Sequence, residues 1–261
     1  MSIIITGGHS GMGFELSKKL LSEGHQIGLI VRSERRKAET HRLFSNNDNV
    51  KVFVADLSNR DQIASVAKEI RSTFSSLEGI FNNAGVLLDK LYHSDYGNEL
   101  QLEINAISPY LLTKELIPLM EKSENPFVVS TATAGLNNKK SIDISAFKKP
   151  IKFTKLMGSY MDSKLTMVAL MNHLSTQNKN IRFVSVNPGA IKTKMTAGDG
   201  MPFWLKPIRN LFFKSPEQGA QNLYGGSFSD TIEGSGIYIS GGKVKVMNVS
   251  ITKDQVEELL K

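Results

Sequence analysis

The 261-residue chain has no cysteine, a single tryptophan and eight prolines. Without a thiol it forms no disulfide, no thiolate metal site and no cysteine nucleophile. Nowhere do 18 apolar residues run consecutively, so the sequence offers no segment long enough to cross a bilayer as a helix. The opening MSIIITGG enters an apolar run at once, with no basic stretch before it and no long apolar core. No secretory leader is expected, and a soluble, cytoplasmic protein is the expectation. His9, His25, His41, His93 and His173 show no metal-ligand spacing with one another or with acids, and Asp143 and Asp162 lack a carboxylate partner. No metal is therefore expected. No Ser/Gly-rich linker or internal repeat divides the chain, which reads as one domain over 1–261.

What is present is ordinary globular composition, 40% hydrophobic and 22% charged. A chain of this size buries about 70–75% of the surface its unfolded form exposes, enough for a full core without covalent staples. The net charge is +7. The positive charge gathers in VRSERRK (31–37), KKSIDISAFKKPIKFTK (139–155) and IKTKM (191–195) rather than along one stripe. No nucleic-acid motif with interleaved aromatics accompanies it, so no nucleic-acid partner is expected. A solvated basic surface, partly serving an anionic ligand, is the reading.

Short β-rich runs alternate with helical patterns. SIIIT (2–6), QIGLIV (26–31), VKVFVA (50–55), LEGIFN (77–82), PFVVST (126–131), IRFVSV (181–186) and GIYIS (236–240) read as strands. Most are continuous apolar runs, as for strands covered on both faces. Helical patterns fill 14–23, 35–45, 60–73, 99–122 and 157–176, with Pro109 expected to kink the fourth because it removes a ladder donor. The alternation predicts an α/β fold: one Rossmann-type doubly wound domain with a mainly parallel sheet of about seven strands.

TGGHSGMG (6–13) follows the first strand and opens the first helix. Gly7, Gly11 and Gly13 permit a sharp turn and close backbone approach to a pyrophosphate at a helix N-terminus. The turn as a whole, with His9, Ser10 and Met12, is a candidate dinucleotide contact. At the end of the second strand, where a carboxylate would hold the ribose 2′-hydroxyl of NAD, stands Arg32, followed by Ser33 with Arg35 and Arg36 close by. A guanidinium grips a 2′-phosphate through paired hydrogen bonds that a carboxylate would forbid. NADP(H) is therefore expected over NAD(H). Tyr160 and Lys164, in YMDSK (160–164), are four residues apart and share one face of their helix.

TGGHSGMG (6–13), ADL (55–57), NNAG (82–85), IN (104–105), YMDSK (160–164) and NPGAIKT (187–193), in this order, resemble the marks of the short-chain dehydrogenase/reductase family and span almost the whole chain. SPEQGA (215–220) and GIYISGGKV (236–244) are most similar to its retinol-dehydrogenase-type branch. The resemblance implies an oxidoreductase that interconverts an alcohol and a ketone or aldehyde. It implies that Asp56, with Leu57 beside it, meets the adenine, and that Asn83, Ala84 and Gly85 form the floor under adenine and ribose. Pro188, Gly189, Ile191 and Thr193 would orient the nicotinamide. Tyr160 would be the general acid/base and Lys164 its tuner and ribose anchor. A free tyrosine titrates near 10, and a neighbouring cation lowers that value. Asn105 would hold a water linking Lys164 to solvent. In this family the helices bearing Asn105 and Tyr160 are frequent homodimer or homotetramer contacts.

One position departs from the pattern. The family places a serine at the end of the fifth strand, and VVSTATAG (128–135) offers Ser130, Thr131 and Thr133 instead. Ungapped alignment of the strand puts Thr131 in the role, with Ser130 second; counting back from Gly135 puts Ala132 there. The segment KMTAGDGMPFWLKPIRNLFFK (194–214) is the expected substrate loop. Met195, Met201, Phe203, Trp204, Leu205, Phe212 and Phe213 would make an adaptable wall for a small, fairly apolar substrate. The same stretch also reads as an amphipathic helix on the core; no membrane contact is expected. A rival reading keeps dinucleotide binding and drops catalysis, leaving a redox sensor or partner-binding module.

Overall fold

The computed structural model describes residues 1–139, 141–150, 153–201, 209, 211–228, 233–247 and 249–261. Phe203, Trp204 and Leu205 of the expected substrate wall lie outside them. Seven strands are parallel: β1 (Ser2–Thr6), β2 (Gln26–Val31), β3 (Val50–Val54), β4 (Gly79–Asn82), β5 (Phe127–Thr131), β6 (Arg182–Asn187) and β7 (Ile237–Ser240). An eighth, β8 (Lys243–Lys245), folds back antiparallel on β7, giving the order β3-β2-β1-β4-β5-β6-β7-β8. The sequence concealed β8 because its three residues are all exposed, leaving no apolar pattern to read.

Side-chain alternation along the strands supplies two cores. Ile4, Val128 and Phe183 face one side, where α3 (Arg60–Thr73), α5 (Ser108–Met120), the short α6 (Ile144–Lys148) and α7 (Met161–Gln177) bring Ile63, Leu116, Ile144 and Val168. Ile3, Ile5, Val129 and Val184 face the other, against Leu16 and Leu20 of α1 (Gly11–Ser22) and Leu223 of α9 (Pro216–Phe228). Each such aliphatic side chain, fully buried, stabilises the fold by about 1.5–3 kcal/mol. Helices on both faces of a parallel sheet define a single doubly wound α/β domain. Local signals set the helix starts: Ser33 accepts from Arg36 N at 3.3 Å to open α2 (Glu34–Leu43), and Asn59 accepts from Gln62 N at 3.0 Å to open α3. α7 is buried almost all round within the one chain, Leu165, Val168 and Met171 included, so the domain itself covers its apolar surface.

Two expected helices are broken. The pattern over 99–122 resolves into one turn, α4 (Leu100–Leu102), a π-helical turn (Glu103–Ile107) and α5. The cause is the expected one displaced toward the N-terminus: Pro109 has no N–H and sits in the first turn of α5, so the ladder is disturbed before the proline. Arg60 holds this irregular turn through its ion pair to buried Glu103, at 2.7 and 3.0 Å. The pattern over 157–176 likewise begins with a π-helical segment, Lys155–Tyr160, in which Gly158 departs from helical geometry (φ −116, ψ −110).

Candidate active site

Sheet order reverses direction at β1, whose neighbours are β2 and β4. Past the carboxyl ends of the strands at such a switch point a crevice opens. Here it is a cavity of about 560 Å³. Strand order gives it two ends: residues following β2 and β3 at one, residues of β4, β5 and α7 at the other.

The first end is glycine-rich and cationic. Gly7 and Gly11 have φ of +68° and +54°, the left-handed region that a side chain disfavours. A Cβ on Gly13 would collide with the carbonyl of Gly7 and come within 2.6 Å of Asn83 Nδ2. Asn83 donates to Thr6 O at 3.0 Å, and Thr6 Oγ1 accepts from Asn83 N and Ala84 N at 3.0 and 2.9 Å. The segment after β4 is thus tied to the turn after β1. His9, Ser10, Gly11, Met12, Arg32, Asp56 and Leu57 line the cavity, and Arg32 is exposed. Asp56 Oδ1 accepts from Ser58 N and Oγ at 2.8 and 2.7 Å. Arg36, expected close to Arg32, joins the wall, and so does Lys194, which the sequence did not single out as a site residue. Ser33 does not; its hydroxyl caps α2. Arg35 pairs with Glu39 at 3.0 Å, away from the cavity lining.

At the other end Thr131, Tyr160 and Lys164 are buried. Asn83, Ala84, Gly85, Thr131, Tyr160 and Lys164 share the wall with Val86, Leu88, Leu100, Ile104 and Met195. Lys164 Nζ donates to Thr131 O at 2.8 Å. A Cβ on Gly85 would approach Asn105 Oδ1 at 3.0 Å and Lys164 Nζ at 3.3 Å, so a side chain there would press on both groups. Burial alone pushes the Tyr160 phenol up to about 12 and the Lys164 amine down to about 8. The phenol shift runs opposite to the expected lowering by Lys164: desolvation of the phenolate dominates, and the amine is turned to the Thr131 carbonyl.

Asn105 stands beside the cavity as a brace. Its Oδ1 accepts from Val86 N at 2.8 Å, and its Nδ2 donates to Val86 O at 2.9 Å and Ser163 Oγ at 3.1 Å. Its side-chain amide is therefore committed to protein partners. Ser130, the second choice for the missing serine, faces away and accepts from Asn82 Nδ2 at 3.4 Å. Ala132 is packed in the core. Thr131 alone of the three is on the cavity wall. Thr193 lines the cavity and caps α8 (Lys194–Ala197), whereas Pro188, Gly189 and Ile191 do not line it; the Ile191 carbonyl accepts from Thr196 Oγ1 at 2.8 Å. Of the expected substrate wall, Met195 lines the cavity, Met201 is buried, and Phe212 is 74% exposed.

These donors suit a dinucleotide: a cradle that a Cβ at residue 13 would fill, cations at the end where a 2′-phosphate would lie, and a phenol at the far end. Fold and cavity together define a nucleotide-dependent oxidoreductase class. Residues 1–200 match the family model for short chain dehydrogenases, and the chain belongs to that short-chain dehydrogenase/reductase family. It is 28% identical over 264 residues to a short chain dehydrogenase/reductase of Gibberella zeae, covering 93% of this chain and 75% of that one. Retinol dehydrogenase 11 of Mus musculus is 26% identical over 235 residues, covering 85% and 71%; the retinol-dehydrogenase-type likeness read from the sequence thus recurs among its relatives. Salutaridine reductase from Papaver somniferum superposes with a TM-score of 0.72 at 22% identity, over 91% of this chain and 98% of that one. The chain is an oxidoreductase acting on CH–OH or C=O groups, in a family that binds NAD(P). Among the described residues no helix is long and apolar enough to cross a membrane.

Proposed function

We propose that the protein is an NADP(H)-dependent oxidoreductase that interconverts an alcohol and a ketone or aldehyde on a small, fairly apolar organic molecule, with Tyr160 as general acid/base. The observation that carries this reading is the single cavity lined by the glycine turn, by Arg32 and by Tyr160 and Lys164. Its far end, with Leu88, Leu100, Ile104 and Met195, suits an apolar substrate body beside a few polar groups. Met195 is the point at which the segment 194–214 would form the substrate wall.

When bound, the dinucleotide supplies or accepts the hydride. The chain's own residues handle orientation and the proton. Tyr160, its phenol pushed up to about 12, stays protonated through the neutral range and donates to the oxygen that gains charge during reduction. Lys164, pushed down to about 8, is mostly cationic at neutral pH and favours the phenolate left behind. The Thr131 hydroxyl would polarise the substrate oxygen from the same wall. Pro109 cannot donate to the main-chain carbonyl of Asn105 four residues earlier. That carbonyl, rather than the committed side-chain amide, would hold the water that links Lys164 to solvent.

Reduction of a panel of apolar aldehydes and ketones with NADPH tests the reading on wild type and Tyr160→Phe. Turnover is expected to fall by about 10²–10⁴-fold in the variant while NADPH binding is kept. Equal turnover in the two would remove Tyr160 from the chemistry. Dinucleotide binding with no reduction of any panel member would favour the sensor reading.

A further inference from the structure

His9 is the residue of the glycine turn that the reaction leaves without a task. It is half-buried on the cavity wall, and its Nδ1 is sealed from solvent with no hydrogen-bond partner among the described residues. Sealed from solvent, Nδ1 is out of a ligand's reach, which leaves Nε2 as the ring nitrogen that a ligand in the cavity can meet. The charged groups facing it come from three elements. Arg32 follows β2, Arg36 and Glu39 lie on α2, and Lys194 opens α8. Glu39 is held by Arg36 at 2.6 Å and by Arg35 at 3.0 Å, so cations dominate the field at the imidazole.

We propose that His9 is a proton-coupled contact for the cofactor's 2′-phosphate, so that preference for NADP(H) over NAD(H) strengthens as pH falls through the range in which histidine titrates. The inference rests on the NADP(H) reading given above and adds a residue and a pH dependence to it. Without a ligand, burial foremost, and then Arg36, Lys194 and Arg32, hold the imidazole below its ordinary value, with Glu39 alone opposing. A phosphate dianion arriving among these groups offsets their positive field and, in direct contact with the ring, favours the imidazolium, which then donates to a phosphate oxygen. Binding of NADPH therefore takes up a proton from solvent; NADH, with a neutral 2′-hydroxyl, does not. The phosphate contributes the opposite sign: its second ionisation lies near about 6, and a cationic site favours release of that proton. Uptake measured well above that value belongs to the protein.

The test is fluorescence titration of the full chain with NADPH and NADH at about pH 6.5, 7.5 and 8.5, on wild type and His9→Asn, with calorimetry at about pH 7.5 in two buffers of different ionisation enthalpy. The wild-type ratio of NADH to NADPH Kd is expected to fall about three- to tenfold across the range, with net proton uptake for NADPH only. In His9→Asn the ratio is expected to be flat and the uptake lost, with any change in NADH affinity the same at all three pH values. An NADPH preference whose pH slope and proton uptake are the same in both proteins would overturn the role of His9 and leave the NADP(H) reading standing. No NADPH preference at any pH would overturn both.

Discussion

The two ends of the cavity hold their polar groups in different surroundings. At the β2–β3 end, Arg32 stands exposed to water. At the β4–β5 end, Tyr160 and Lys164 are 6% and 3% exposed, and burial displaces both titrations, one up to about 12 and the other down to about 8. An exposed cation attracts a phosphate modestly and is screened by salt. A desolvated phenol beside a desolvated amine is poised at a cost to the fold. On the function proposed above, the first end would set which cofactor binds, and the second what is done with it.

Substitutions at the two ends should separate accordingly. The largest effect is expected from Lys164→Met, with turnover falling about 10²-fold or more in steady-state assays. Stability should move the other way. Lys164 titrates about 8 in the fold against an ordinary value of 10.5, so between these values the unfolded chain holds the extra proton and stability rises with pH. At neutral pH the buried ammonium is a net cost. Replacing it, less the lost bond to Thr131 O, should leave the unfolding free energy unchanged or raised by about 1–2 kcal/mol in denaturant titration. A large destabilisation would show that the amine is structural.

Gly13→Ala comes next and acts on the cradle. The new Cβ would meet the Gly7 carbonyl and Asn83 Nδ2, so both cofactors should bind about tenfold or more weakly by fluorescence, and stability should drop by about 1–3 kcal/mol in thermal unfolding. Loss of one cofactor's affinity alone would break the view that this turn serves the part common to both. Thr131→Val keeps the branched shape and removes the hydroxyl. It should lower kcat about tenfold with cofactor Kd unchanged, and an unaltered kcat would take Thr131 out of the serine's role.

The fold was legible where its signal was local. The strands β1 to β7 are runs of apolar residues, and α3 runs over Arg60–Thr73 as the periodicity indicated. The lining of the candidate site was legible where glycine spacing, Arg32 and the Tyr160–Lys164 spacing each encode one constraint. The rest depends on neighbours far apart in sequence. Lys194 reaches from α8 the wall that Arg32 and Arg36 form, and no spacing within its own segment announces that. The commitment of Asn105 to Val86 and Ser163 needs the π-turn and the close approach at Gly85, both tertiary. The fate of the phenol is the same kind of case: spacing placed a cation nearby, but only burial reveals that desolvation outweighs it.

The smallest effect is the most direct test of the division between the two ends: NADPH and NADH titrated by fluorescence into wild type and Arg32→Ala. Wild type is expected to prefer NADPH, and the variant to lose about tenfold in NADPH affinity with NADH affinity unchanged. Equal affinities for the two cofactors in wild type, or an equal loss for both in the variant, would contradict it.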